Sequence, residues 1–199
     1  MKLTCLLLLT FMMSLSAQKL PPSSLQALVE GNASSTVRVL IYEDLQCPDC
    51  ADFRKMMDQD LIPRFKSTVA FEHRDFPLAK HAWARSAAVA SRYFESIAPA
   101  LAVEFRKATM AAQEKITAEN FQDHLTAFAT ANKGDPRKAV AALTDALLQD
   151  RVEADYQEGV ARGVARTPTV LVNGDPFIET FPVADIIRSI ERELAAAKK

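Results

Sequence analysis

The hydrophobic pattern of the chain changes period several times. Thr36-Val-Arg-Val-Leu-Ile-Tyr42 is apolar and β-branched, which predicts a buried strand. From Pro48 the apolar positions Phe53, Met56, Met57 and Leu61 fall on one face at helical spacing, and Pro63 is expected to kink or end that helix. Val69 to Phe76 predicts a second strand, stopped by Pro77, with His73 facing solvent in its alternation. Upstream, Ser24 to Glu30 reads as one or two helical turns ending at Gly31, after an extended Pro21-Pro22 segment.

The middle of the chain is helical in pattern. Lys80 to Ser96 carries Trp83, Ala87, Ala90 and Phe94 on one face, and Pro99 opens a helix over 100–112. Thr117 is expected to cap a helix bearing Phe121, Leu125 and Phe128 that fades near Gly134. Asp135-Pro136 is an N-cap followed by proline at the first helical position, and its helix runs to about 159–163 with a break near Gln149. Trp83, Phe94, Phe105 and Phe128 are read as core, His81 as part of a helix entry and His124 as a surface residue. Strand character returns at Thr169-Val-Leu-Val172. Asn173-Gly174 is a two-residue hairpin turn, Pro176-Phe-Ile178 a return strand, and Val183 to Ala197 an amphipathic helix with Ile186, Ile187, Ile190 and Leu194 inward.

Residues 1–17 read as a removable export signal. Lys2 is the charged start, Leu3 to Leu15 the apolar stretch, and Ser14-Leu-Ser-Ala17 a small-residue cleavage site before Gln18. An uncleaved anchor is the alternative, although the run is short and interrupted for a membrane span. Loss of Lys2 makes the formal net charge of −1 one unit more negative, which gives no case for nucleic acid as a partner. Removal of Cys5 leaves two of the three cysteines, Cys47 and Cys50, in an oxidising compartment. A chain of this length buries its own core, so the pair is better explained by chemistry than by stapling.

Cys47-Pro48-Asp49-Cys50 follows directly on the first strand. At a strand–helix junction, a Cys-x-x-Cys pair brings two sulfurs within bonding reach across one helical turn. It places the first thiol where unpaired backbone N–H groups and the helix dipole favour a thiolate. A static disulfide spanning two residues would add little stability, because loop-closure stabilisation grows with loop length. A zinc site would need two of His73, His81 and His124 as well, and lacks a second closely spaced ligand pair. Thiol–disulfide exchange runs on the sulfurs alone, so no cofactor and no metal is expected.

Four stretches together resemble the DsbA-like branch of the thioredoxin superfamily over residues 36–199. They are Glu43-Asp44-Leu45-Gln46-Cys47-Pro48-Asp49-Cys50; Arg74-Asp75-Phe76-Pro77-Leu78 with His81; Gly163-Val164-Ala165-Arg166-Thr167-Pro168-Thr169; and Val172-Asn173-Gly174. The resemblance implies an α/β thioredoxin fold with a large inserted all-helical subdomain. Residues 18–199 would form one domain, its thioredoxin core at 36–76 and 164–199 and its insertion at about 77–163. It further implies Cys47 and Cys50 as the catalytic pair, tuned by Pro48 and Asp49. Thr167 and a cis Pro168 would face Cys47 and pair with an extended substrate peptide.

Two positions depart from the family pattern. The site six residues before the first cysteine, often a buried acid, is Ile41, and the residue before the second cysteine is Asp49 rather than histidine. Glu43 and Asp44 are the nearest acids, and strand alternation lets only one of them face inward. The implied activity is an exported, periplasmic or otherwise extracytoplasmic thiol:disulfide oxidoreductase, most simply a dithiol oxidase. Its partners would be cysteine-containing exported proteins and a membrane redox protein that regenerates it. The alternatives are a reductase or isomerase with the same site, and a non-catalytic metal- or peptide-binding module of the same fold.

Overall fold

The computed structural model describes residues 27–198. The export signal, Pro21-Pro22 and the start of the lead-in lie outside the described residues. A five-stranded mixed sheet has the order β1-β3-β2-β4-β5, built from β1 Leu28–Gly31, β2 Arg38–Glu43, β3 Ala70–Asp75, β4 Thr169–Val172 and β5 Asp175–Ile178. β2 and β3 are parallel, and the other pairings are antiparallel.

The lead-in is a correction to the helical expectation, since Leu28–Gly31 is a strand paired with β3. Four residues cannot hold a helix against a free sheet edge, and burial of Leu28 adds to the pairing. Gly31 has φ +87°, and a Cβ there would come within 2.5 Å of the Val69 carbonyl oxygen. Only glycine fits this turn.

The two sheet faces follow strand alternation. Val39, Ile41, Val170 and Val172 pack on Phe53, Met57, Leu61, Ile186 and Ile190, from α1 (Pro48–Met56), the turn after it and the C-terminal helix (Val183–Ala196). On the other face Tyr42 and Leu171 meet Phe76, Tyr156 and Val164. The helix after Cys47 does not stop at Pro63. It widens into a π turn at Met57–Leu61, where the Ile62 N–H donates to the Met57 carbonyl, and then re-forms as α2, Ile62–Phe65. The wider turn accommodates a proline that has no N–H to donate.

The helical segment comprises α3 Ala84–Ile97, α4 Pro99–Ala111, α5 Phe121–Ala131, α6 Pro136–Ala141 and α7 Ala146–Ala161, with the C-terminal helix completing the set as α8. Trp83, Phe94, Phe105, Phe121 and Leu125 are buried at its centre, with Phe128 packed against them. Asp135 caps α6 through its carboxylate, which accepts from the N–H groups of Arg137 and Lys138. Two boundaries differ from expectation. Thr117 and Asn120 bond each other and α5 starts only at Phe121. The break falls at 142–144, because Asp145 caps α7 by accepting from Leu147 and Leu148.

α7 lies against the sheet at Gly159, where an added Cβ would sit 2.7 Å from the Phe76 ring and 3.1 Å from Tyr42. Alanine is the better helix former by about 0.5–1 kcal/mol, but overpacking a tight contact costs about 1–3 kcal/mol. Gly159→Ala is therefore expected to lower unfolding stability in urea by about 1–2 kcal/mol. A stabilised variant would show that the helix rides over the sheet more loosely than this.

Candidate active site

α1 starts where it does because Cys47 is extended (φ −78°, ψ 125°) and Pro48 takes the first helical position, where no N–H is needed. Pro48 and Asp49 are exposed. Cys47 and Cys50 are free thiols 4.0 Å apart. Cys47 retains 5% of its surface and Cys50 none. Both pack into the core of the helical segment alongside Leu45, Ala51 and Trp83. From the far end of the chain, the loop before β4 brings Thr167, whose carbonyl accepts from the Cys47 thiol at 3.3 Å. The Thr167–Pro168 peptide bond is cis. The structure thus brings together Cys47, Cys50, Pro48, Asp49, Thr167 and Pro168, residues separated by more than a hundred positions.

The two thiols are held in different states. The Cys50 thiol donates to the Cys47 sulfur and lowers its pKa from 9.0 to about 6, against an opposing effect of burial. The backbone N–H groups of Cys50 and Asp49 add further donors to the thiolate, and the neighbouring Thr167 side chain also favours it. Cys50 moves the other way. Burial raises it well above the usual thiol value, its hydrogen bond and charge contact with Cys47 raise it further, and Glu43 adds a repulsive charge. The Asp44 N–H, 3.4 Å from the Cys50 sulfur, partly offsets these effects.

Glu43 and Asp44 are both buried, which corrects the expectation that only one could face inward. The strand ends at Glu43, so alternation no longer governs Asp44. Glu43 accepts from Arg106, and its Oε1 lies 2.5 Å from His73 Nδ1. Burial pushes the Glu43 carboxyl up, but the Arg106 and His73 charges hold it at about 2. The carboxylate is thus held as an ion between Arg106 and His73. Its action on Cys50 is electrostatic, favouring the protonated thiol.

His73 is also corrected, from solvent-facing to buried. Both ring nitrogens face carboxylates, Glu43 on one side and Glu30 at 2.9 Å on the other. Burial opposes its charge, but the two acids raise its pKa and hold an imidazolium. No sequence periodicity carries this signal, because pairing rather than polarity buries the residue. His81 Nδ1 lies 2.7 Å from Asp44 Oδ2 in the helix-entry loop. His124 is partly buried rather than a surface residue, with Nε2 3.1 Å from the Thr109 hydroxyl and its ring against Phe105. Among the described residues no cluster of three or more His, Cys, Asp or Glu side chains is placed to hold a metal ion.

The family model described as Thioredoxin matches residues 23–192. No curated protein matches the chain. Among solved structures, the chain is similar to the thiol-disulfide exchange protein alpha-DsbA2 from Wolbachia pipientis, with 18% identity, a TM-score of 0.71, and 85% of this chain and 88% of that one covered. It is also similar to oxidised BdbD from Bacillus subtilis, at 23% identity and a TM-score of 0.72 over 85% and 93% of the two chains. A periplasmic thioredoxin-like protein from Salmonella enterica serovar Typhimurium aligns at 14% identity and a TM-score of 0.65 over 84% and 89%. The chain belongs to the thioredoxin family, in the DsbA-like form of the fold with helices inserted between β3 and β4.

Proposed function

We propose that this protein is an exported thiol:disulfide oxidoreductase that acts as a dithiol oxidase on cysteine-containing exported proteins. The observation that carries the reading is the asymmetry of the pair. Cys47 is acidified at the start of α1 and faces the Thr167 carbonyl, while Cys50 is sealed behind it with a raised pKa. In the oxidised protein a substrate thiolate attacks the Cys47 sulfur. The Cys47–Cys50 bond breaks, and Cys50 takes up a proton. The second substrate thiolate then attacks the substrate sulfur of the mixed disulfide, and Cys47 leaves as a thiolate. Two electrons have passed to the protein and the substrate holds a new disulfide. A leaving thiol with a pKa near 6 speeds the second step.

Pro48 fixes the backbone at the helix start, and Thr167-Pro168 offers its backbone edge to an extended substrate segment. Residues 18–199 are read as one domain, with a thioredoxin core that includes the β1 strand Leu28–Gly31 together with 36–76 and 164–199, around the insertion at 77–163. Export rests on the pattern of residues 1–17. No helix among the described residues is long and apolar enough to cross a membrane. Reoxidation falls to a membrane redox partner.

Equilibration in defined glutathione buffers tests this reading. The thiol acidity predicts a two-electron transition between about −270 mV, typical of a reductant, and about −120 mV, typical of a strong oxidant. A value at or below the lower figure would make the protein a reductase, and failure of the thiols to titrate together would favour a binding module. Asp49 puts a carboxylate in the first turn of α1, two residues from Cys47, where like charge is expected to disfavour the thiolate. Asp49→His is expected to lower the Cys47 pKa below about 6 and make the potential more oxidising. An unchanged or more reducing potential would mean that this position does not tune the site.

A further inference from the structure

The four residues before the second half of the active site are held from outside the thioredoxin core. Asp44 Oδ2 accepts from the Leu78 N–H at 2.8 Å and meets His81 at 2.7 Å, and Gln46 Oε1 accepts from the Trp83 N–H at 2.8 Å. The remaining tie comes from Gln113, on the short turn Gln113–Lys115 after α4. Its side-chain amide donates to the Leu45 carbonyl at 2.8 Å and to the Cys47 carbonyl at 3.0 Å. Trp83 also donates through its indole to Ile116, which fastens the Gln113 turn to the loop that holds Gln46.

The Cys47 carbonyl is the first acceptor of α1, receiving the N–H groups of Cys50 and Ala51 at 3.1 and 3.2 Å. A third donor on that oxygen, shared with the oxygen two residues earlier, brackets the Cys47 backbone on both sides. We propose that Gln113 is a positioning residue for Cys47, through which the helical insertion sets where the reactive sulfur sits over the Thr167 carbonyl. The inference rests on Cys47 being the reacting thiol. Gln113 acts in two ways. It removes alternative placements of the 45–47 backbone, and its N–H groups satisfy two carbonyl oxygens, one upstream of the reactive residue and one its own.

Gln113→Met keeps the length of the side chain and loses both donors. In the reduced protein, the rate of Cys47 alkylation by iodoacetamide at pH 7 is expected to fall about fivefold, the weight of one ordinary hydrogen bond. The apparent thiol pKa should rise with it. Gln113→Glu should be at least as slow, since its carboxylate faces two carbonyl oxygens. Arg85→Ala breaks an exposed pair with Glu153 inside the insertion and should leave both readings unchanged. If Gln113→Met does not fold, Gln113→Asn, one methylene shorter, carries the same expectation.

A folded Gln113→Met or Gln113→Asn protein with the wild-type rate and pKa would overturn the proposal. So would an Arg85→Ala protein slowed to the same degree, or unfolding of both Gln113 variants, which would make the residue a structural one. Failure of the underlying reading looks different, because wild-type Cys47 would itself then show an ordinary thiol pKa.

Discussion

Cys50→Ala is expected to turn the protein into a trap. The Cys47 thiolate can still attack a disulfide of an oxidised substrate protein, forming a mixed disulfide and releasing one substrate thiolate. Without the Cys50 thiol, the intramolecular return that normally clears such complexes is lost. Substrate proteins should then accumulate covalently on Cys47 and migrate as adducts that reductant dissolves. Cys47→Ala should trap nothing, because Cys50 is fully buried and its raised pKa keeps it a neutral thiol. Both variants should lose turnover almost entirely, since neither retains a disulfide to transfer. Adducts on Cys50 in the Cys47→Ala protein, seen after non-reducing electrophoresis and peptide mapping, would reverse the assignment of roles.

The second large effect concerns stability. Arg106, from α4, reaches into the carboxyl ends of β2 and β3. There its Nε donates to Glu43 at 3.1 Å and its Nη1 to Asp75 at 2.8 Å, and Arg92 from α3 holds the other oxygen of Asp75 at 2.5 Å. All four side chains are buried. Arg106→Met is expected to lower unfolding stability by about 3–5 kcal/mol, because it leaves two carboxylates buried without a shared partner. Urea unfolding checks this, and a loss below about 1 kcal/mol would mean that the cluster relaxes into water.

The same network sets a pH window. Glu30 and Glu43 are held at about 2 in the folded protein against 4.5 unperturbed, so their contribution is present above the unperturbed value and fades as pH falls toward 2. His73 is raised, so its contribution is complete below 6.5 and is lost as pH climbs through its folded value.

The parts of the fold legible in the sequence are those decided locally. The Asn173-Gly174 turn, the Asp135-Pro136 cap and the amphipathic last helix depend on backbone chemistry and on one face of one element. β1 was not legible, because Leu-Val-Glu-Gly becomes a strand only by lying along β3. The buried His73 and the paired burial of Glu43 and Asp44 were hidden for a related reason. Charged residues read as surface until the opposite charge that accompanies them inward is known, and Arg106 lies 63 residues from Glu43 in sequence. At the site, the Cys47-x-x-Cys50 motif was legible on its own, whereas Thr167 and Pro168 were expected only through the family resemblance; the Thr167 carbonyl lies 3.3 Å from the Cys47 sulfur. Gln113 was not legible, since an isolated glutamine in an Ala-Ala-Gln-Glu-Lys run carries no signal of the two carbonyls it meets.

The most direct measurement is alkylation of each cysteine in the reduced native protein as a function of pH, resolved by mass spectrometry. Cys47 should be modified with a midpoint near pH 6, while Cys50 stays unmodified until the protein is unfolded. Earlier modification of Cys50, or a Cys47 midpoint near that of an ordinary thiol, would contradict the division of labour between an acidified attacking sulfur and a sealed resolving one.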